Sequence, residues 1–178
     1  GEATHGTREF FRFKHRMFEY LVAEHGFRLF GLESSYAGCL PIDRYVQTGE
    51  GDVRALIKGQ GFWTWDTEEV LALVEWMRAH NATHDAPEDR LHFYGFDTQD
   101  AATPLGLAMD SLAEFEPEQI ARLKQRLRPA TETRYASAVE SGTVEDYETL
   151  LADIDALLGL MSKHREALQE VGPGYAKL

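Results

Sequence analysis

The sequence predicts an α/β fold, with a parallel-type sheet core and flanking helices, followed by a helical subdomain or insertion. Three observations carry that expectation. Short aromatic-rich apolar runs at positions 27–33 (FRLFGLE) and 91–96 (LHFYGF) have the length and composition of buried strands. Helix-period patterns separate them, as parallel pairing requires, because parallel strands need a long crossover between them. From Pro104 onward the chain reads as helices, interrupted by a polar stretch at 129–142.

In chain order, Phe10, Phe11, Phe13, Met17, Phe18, Leu21 and Val22 recur at three- and four-residue steps, and Gly26 is a natural stop, so a helix is expected over 7–25. The strand at 27–33 follows. Between 34 and 61 the pattern predicts a helix around 40–46, a turn at Gly49-Glu50-Gly51, a short helix over 52–58 and a mobile joint at Gly59-Gln60-Gly61. Asp66-Thr67-Glu68-Glu69 matches a capping box and opens a helix with Val70, Leu73, Val74, Trp76 and Met77 on one face. After Pro87 comes the second strand, closed by Asp97. Helices are then expected over 104–115, 117–128 and 144–170, with a flexible joint at 129–142. A first strand is expected just before Gly1, because the opening residues read as a strand end, and the chain reads as a fragment of a longer protein. The implied organisation is an α/β catalytic core over 1–102 and a helical subdomain over 103–178.

Bulk properties narrow the function. A length of 178 residues with 43% hydrophobic composition supports an ordinary packed core. The formal net charge of −12, from 30 acidic and 18 basic side chains, argues against a nucleic-acid partner, which demands a basic surface. No stretch reaches the roughly 18 apolar residues of a membrane span, and no signal-peptide pattern opens the chain. The single cysteine, Cys39, cannot form an internal disulfide, which fits a reduced, cytoplasmic setting.

Chemistry is suggested by a repeated ending. Gly1-Glu2, Gly31-Leu32-Glu33 and Gly95-Phe96-Asp97 each place a carboxylate near a glycine at an expected strand end. In a parallel sheet these ends share one edge, where ligands bind, so Glu2, Glu33 and Asp97 would converge with His5 on the loop entering the first helix. A carboxylate bonded to one imidazole nitrogen fixes the tautomer and leaves the other nitrogen free to take a proton from water. The plainer use of such acids is to cap helix N-termini, where negative charge is favoured.

Other candidates carry less. Glu2 and His5 spell E-x-x-H, a di-metal spacing, but the second such motif and the further carboxylates are missing, so no metal is expected. Lys14 falls about two turns into the first helix and could face the same edge, although a solvated lysine is the ordinary alternative. Trp63 and Trp65 sit on a loop and serve either as a ligand wall or as a core plug. His15, His25, His80 and His84 read as surface residues. Cys39 has no basic neighbours to activate it, and Ser34-Ser35 does not form a G-x-S-x-G elbow.

Taken together, GEATHGTREFF, GLES, FWTWDTEEVLALVEWMRAHN and FYGFD, in that order over about positions 1–100, resemble the erythromycin esterase family. The resemblance implies an α/β core with a helical insertion and ester hydrolysis by water activated directly by a histidine, without an acyl-enzyme; no cofactor is expected. It maps that base onto His5 and active-site carboxylates onto Glu2 and Glu33. It puts Lys14 where many members carry arginine, keeping the charge but losing the bidentate fork. The implied partner is a small-molecule ester, with a macrolide lactone as the type substrate. The family pattern also has a second active-site histidine after the helical insertion, and no matching motif occurs before Leu178. Two other readings stay open: a ligand-binding protein without catalysis, and a divalent-metal hydrolase using Glu2, His5 and Glu33. The sequence leaves the oligomeric state open.

Overall fold

The computed structural model describes residues 3–97, 100, 102–128 and 147–171. The chain divides into two compact units, Gly1–Thr98 and Gln99–Leu178. Glu2 and the expected joint at 129–142 lie outside the described residues. Among those described, no helix is long and apolar enough to cross a membrane.

The first unit opens with α1 (Arg8–His25), which Gly26 ends in the left-handed conformation at φ 69°. Phe27 still belongs to that cap, since its N–H bonds the Leu21 carbonyl at 3.2 Å. The strand expected from 27 therefore starts later, as β1 (Leu29–Ser35). Next comes α2 (Tyr36–Thr48), four residues longer at its start than the sequence suggests. Ser35 caps it by accepting from the Gly38 N–H, and burial of Ala37, Cys39 and Leu40 carries the helix through Pro41 despite the missing donor.

α3 (Val53–Gly59) is capped by Asp52, which accepts from the N–H groups of Arg54 and Ala55. Its end is not a mobile joint. Gln60 is buried, its amide bonded to the Ser34 hydroxyl and to the Phe62 carbonyl, so the glycines on either side let the chain turn around a fixed point. A 3-10 turn at Trp63–Trp65 leads into α4 (Glu68–Asn81). Thr67 is the N-cap, one residue later than the capping box implied, because the Asp66 N–H closes the 3-10 turn on Trp63.

β2 (His92–Asp97) pairs in parallel with β1. Among the described residues the sheet has these two strands. The expected parallel pairing is therefore present, within a chain that is mostly helical. One face of the pair, with Phe30, Leu32 and Phe93, packs into a core shared with Phe11 and Phe18 of α1 and Val70, Val74 and Met77 of α4. The start of β2 is held by buried polar groups. Asp43 accepts from the Phe93 N–H at 2.9 Å, while Asn81 accepts from the Leu91 N–H at 2.7 Å and donates to its carbonyl at 2.9 Å. Backbone groups at the rim of the core thus keep partners.

In the second unit, α5 (Ala102–Leu112), α6 (Pro117–Arg126) and α7 (Tyr147–Lys163) enclose Met109, Leu112, Ile120, Leu123 and Leu157. Arg126 reaches the buried Asp153 at 2.9 Å. The single long helix expected over 144–170 is two, α7 and α8 (Arg165–Val171). The break falls at His164, whose Nε2 lies 3.0 Å from Glu116 Oε1 and whose ring stacks on Phe115.

Candidate functional site

The two strands bring their C-terminal ends to one edge, with Ser35 opposite Asp97. Regular pairing stops at Leu32–Gly95, and the next pair is Ser35–Asp97, so Glu33 and Ser34 together oppose the single residue Phe96. Such a bulge re-aims side chains. Here it leaves Glu33 exposed and Ser34 buried. Gly95 makes it possible: a Cβ there would lie 2.3 Å from the Ser35 carbonyl oxygen and 2.4 Å from that of Ser34.

Opposite Glu33, the loop before α1 turns through Gly6 at φ 79°, a conformation that glycine adopts without strain. Thr4 and Thr7 join hydroxyls across it at 2.5 Å. This turn sets His5 at the mouth of a cleft of about 640 Å³. Lys14 and Glu33 line the same cleft, as does Trp65.

Trp65 is the common neighbour. Its side chain is buried, and its indole N–H donates to the Glu33 carbonyl at 2.7 Å. The His5 ring stands edge-on to it at 5.7 Å between centroids, and the Phe11 ring lies 5.5 Å away. The Lys14 ammonium is 5.5 Å from the Trp65 ring and 5.1 Å from the Phe11 ring, within cation–π range of both. Phe11 was not singled out as a site residue, although its i, i+3 spacing to Lys14 puts both on one helix face.

The structure therefore brings together His5, Lys14, Glu33 and Trp65. Two other expected residues lie elsewhere. Trp63 is 80% exposed and stands outside the lining of the cleft. Asp97, half-buried, occupies the same sheet edge but also lies outside that lining. Two tryptophans separated by one residue thus have opposite fates, because the 3-10 turn directs Trp65 inward and leaves Trp63 in solvent.

Other nucleophiles are spoken for. The Ser34 hydroxyl is buried against Gln60, and Ser35 is the α2 cap. Cys39 is fully buried, and burial raises its thiol pKa to about 11, against a smaller lowering by the Ser34 hydrogen bond. A protonated, inaccessible thiol is a poor nucleophile. Among the described residues there is no group of three or more His, Cys, Asp or Glu side chains arranged to hold a metal ion. Three histidines read as surface residues prove half-buried: His15 against Trp76, and His80 and His84, which stack on each other with His80 also against Trp76.

Comparison with known proteins matches residues 22–175 to the erythromycin esterase family. The chain belongs to that family. A relative from Bacillus subtilis (strain 168), named "Putative hydrolase YbfO", is 25% identical over 99% of this chain and 39% of its own length. The crystal structure of a Bacillus cereus protein superposes with a TM-score of 0.76 at 27% identity, over 98% of this chain and 42% of that one. That of a succinoglycan biosynthesis protein gives 0.75 at 26% identity, over 94% and 42%. The chain thus spans about two fifths of the length of these relatives. Glu33, Trp65 and both strands fall within the family match, whereas His5 and Lys14 precede it and are covered by the longer alignment to the Bacillus subtilis protein.

Proposed function

We propose that the protein is a hydrolase that cleaves a carboxylic ester or macrolactone with water activated by His5. Family membership and the hydrolase name of the Bacillus subtilis relative support hydrolysis in general. One observation carries the finer reading: a histidine, a lysine and a carboxylate line one cleft around a buried indole.

In this reading a neutral His5 takes a proton from water as the oxygen adds to the ester carbonyl. Glu33 orients the imidazole, with Glu2 as the second carboxylate suited to that task. The ammonium of Lys14, held against two aromatic rings, offsets the negative charge that develops on the carbonyl oxygen. Collapse of the tetrahedral adduct breaks the ester C–O bond, and the departing alkoxide takes the proton back from His5. The products are an acid and an alcohol, or one hydroxy acid from a lactone. The reaction requires no acyl-enzyme and no metal.

The deciding experiment is His5→Ala in the full-length protein, with steady-state hydrolysis of an ester panel and a circular dichroism melt. Loss of a general base should lower kcat by about a hundredfold to ten-thousandfold with the melt unchanged. A wild-type rate in the folded variant would sink the assignment.

A further inference from the structure

Behind the wall that carries Lys14 lies a second, smaller space. Lys14, Phe30, Leu32 and Trp65 border the cleft on one side and, on the other, a cavity of about 20 Å³ where α1, β1 and the start of α4 meet. Phe11, Val70 and Leu73 extend its apolar lining, and the charged side chain that joins Lys14 there is Glu69. A cation and an anion thus share the wall of one small apolar cavity.

The capping box read from the sequence would commit Glu69 to the Asp66 N–H. With Thr67 as the cap and the Asp66 N–H bonded to the Trp63 carbonyl, Glu69 is released from that duty and falls on the second residue of α4. The helix dipole favours an acid in this turn, but Glu68 already supplies one in solvent, 70% exposed and paired with Arg54. The Glu69 side chain is turned inward, 15% exposed, and meets Arg8 Nε at 2.8 Å. Arg8, Phe11 and Lys14 follow at three-residue steps along α1, which keeps all three on the side of the helix that meets α4. A carboxylate has about four acceptor positions, so the bond to Arg8 leaves others for the cavity.

We infer that Glu69 is a positioning residue for Lys14 and acts through one water molecule seated in this cavity. A volume of about 20 Å³ holds a single water. That water accepts from the Lys14 ammonium and donates to the Glu69 carboxylate, which gives each charge a polar partner on a wall that is otherwise apolar. Lys14 needs such a tether. Its ammonium is a point charge on a flexible four-carbon stem, and the rings of Phe11 and Trp65, 5.1 Å and 5.5 Å away, attract it without fixing its direction. Held from behind by Glu69, the ammonium keeps its place at the cleft, where negative charge develops on the carbonyl oxygen. This catalytic consequence rests on the hydrolase reading, whereas the tether itself is a property of the fold.

Two measurements on the full-length protein test it. A high-resolution crystal structure of the wild type should show one water within hydrogen-bonding distance of both Lys14 Nζ and a Glu69 carboxylate oxygen. That of Glu69→Met, close in shape but without an acceptor, should show the ammonium displaced. In steady-state hydrolysis of the ester panel, Glu69→Met should lower kcat about tenfold or more with KM changed less. In a Lys14→Met background the same substitution should change kcat by less than about twofold, because the tether acts only through the ammonium. Glu68→Gln removes a charge from the same helical turn without bordering the cavity, and should leave kcat unchanged. A cavity without the water, or an undisturbed Lys14 in Glu69→Met, would overturn the inference. So would an equal loss of kcat in both backgrounds, which would make Glu69 a structural partner of Arg8. A wild-type protein that hydrolyses none of the esters would remove the hydrolase reading, and the two crystal structures would still decide whether Glu69 holds Lys14.

Discussion

The indole N–H of Trp65 and the main-chain carbonyl of Glu33 meet at 2.7 Å, joining the turn before α4 to the bulged end of β1. The carbonyl sits one residue before the serine that faces the core, so the bond holds the bulge while the Glu33 side chain stays exposed toward the cleft. Trp65 also carries His5 and Lys14 on its ring, so a single buried side chain sets the spacing of three cleft residues.

Replacing Trp65 with Phe separates these roles, since a benzyl ring keeps an aromatic surface for His5 and Lys14 but removes the donor. Loss of one hydrogen bond to a main-chain acceptor should cost about 1 kcal/mol of stability. Misplacement of the bulge should lower kcat roughly tenfold or more, with KM changed less, because orientation is lost more than binding. Urea denaturation and steady-state kinetics on the full-length protein measure the two effects. Unchanged kcat in a variant with the expected stability loss would reduce Trp65 to a packing residue.

Gly95 makes a sharper prediction about the fold. A methyl group added there would meet two main-chain oxygens of β1 at under 2.5 Å, and backbone cannot rotate away as a flexible side chain can. Gly95→Ala must therefore push the strands apart or abolish the bulge, at a cost of about 3 kcal/mol or more. Gly59→Ala is the control, because its Cβ would meet nothing within 4 Å. Urea midpoints for the two variants should separate clearly, and equal midpoints would refute the close approach of the strands.

What the sequence revealed and what it hid follow from the range of the interactions involved. Helices α1 and α4 were legible because periodic apolar residues and local caps determine them. The start of α2 was not, because Pro41 signals a boundary that Ser35 and distant packing override. The convergence of His5 with Glu33 could be read from the grammar of strand ends, since parallel strands share an edge. The opposite fates of Trp63 and Trp65 could not, because they depend on which side of a three-residue turn faces β1. The bulge was hidden for a similar reason: Gly95 matched a pattern, but the two carbonyls that require glycine lie some 60 residues earlier in the chain.

Two of the half-buried histidines, His80 and His15, give the protein a pH dependence whose sign can be worked out. His80 lies face to face with His84, ring centroids 3.9 Å apart and planes 8° apart, with its Nε2 3.2 Å from the Asp89 carbonyl oxygen. That contact makes Nε2 the N–H-bearing atom of the neutral ring. Burial lowers the His80 pKa from its ordinary 6.5, with the charges of His84 and Arg28 adding to the fall and the Asp89 carbonyl and carboxylate opposing it. His15 is lowered as well, chiefly by burial against Trp76, with Glu19 opposing and Arg16 assisting. A depressed native pKa means that the unfolded chain binds more protons, so stability is complete above about pH 6.5 and declines as pH falls through the native values. The carboxylates with depressed pKa, Glu68 and Glu116, act below their ordinary 4.5 and so in a lower window. His80→Gln retains an amide donor for the Asp89 carbonyl but has no proton to gain. Melting temperatures measured from about pH 7.5 to pH 5 should fall more steeply for the wild type than for the variant. Parallel curves would show that the stacked pair tolerates protonation in place, and the acid sensitivity would then belong to other groups.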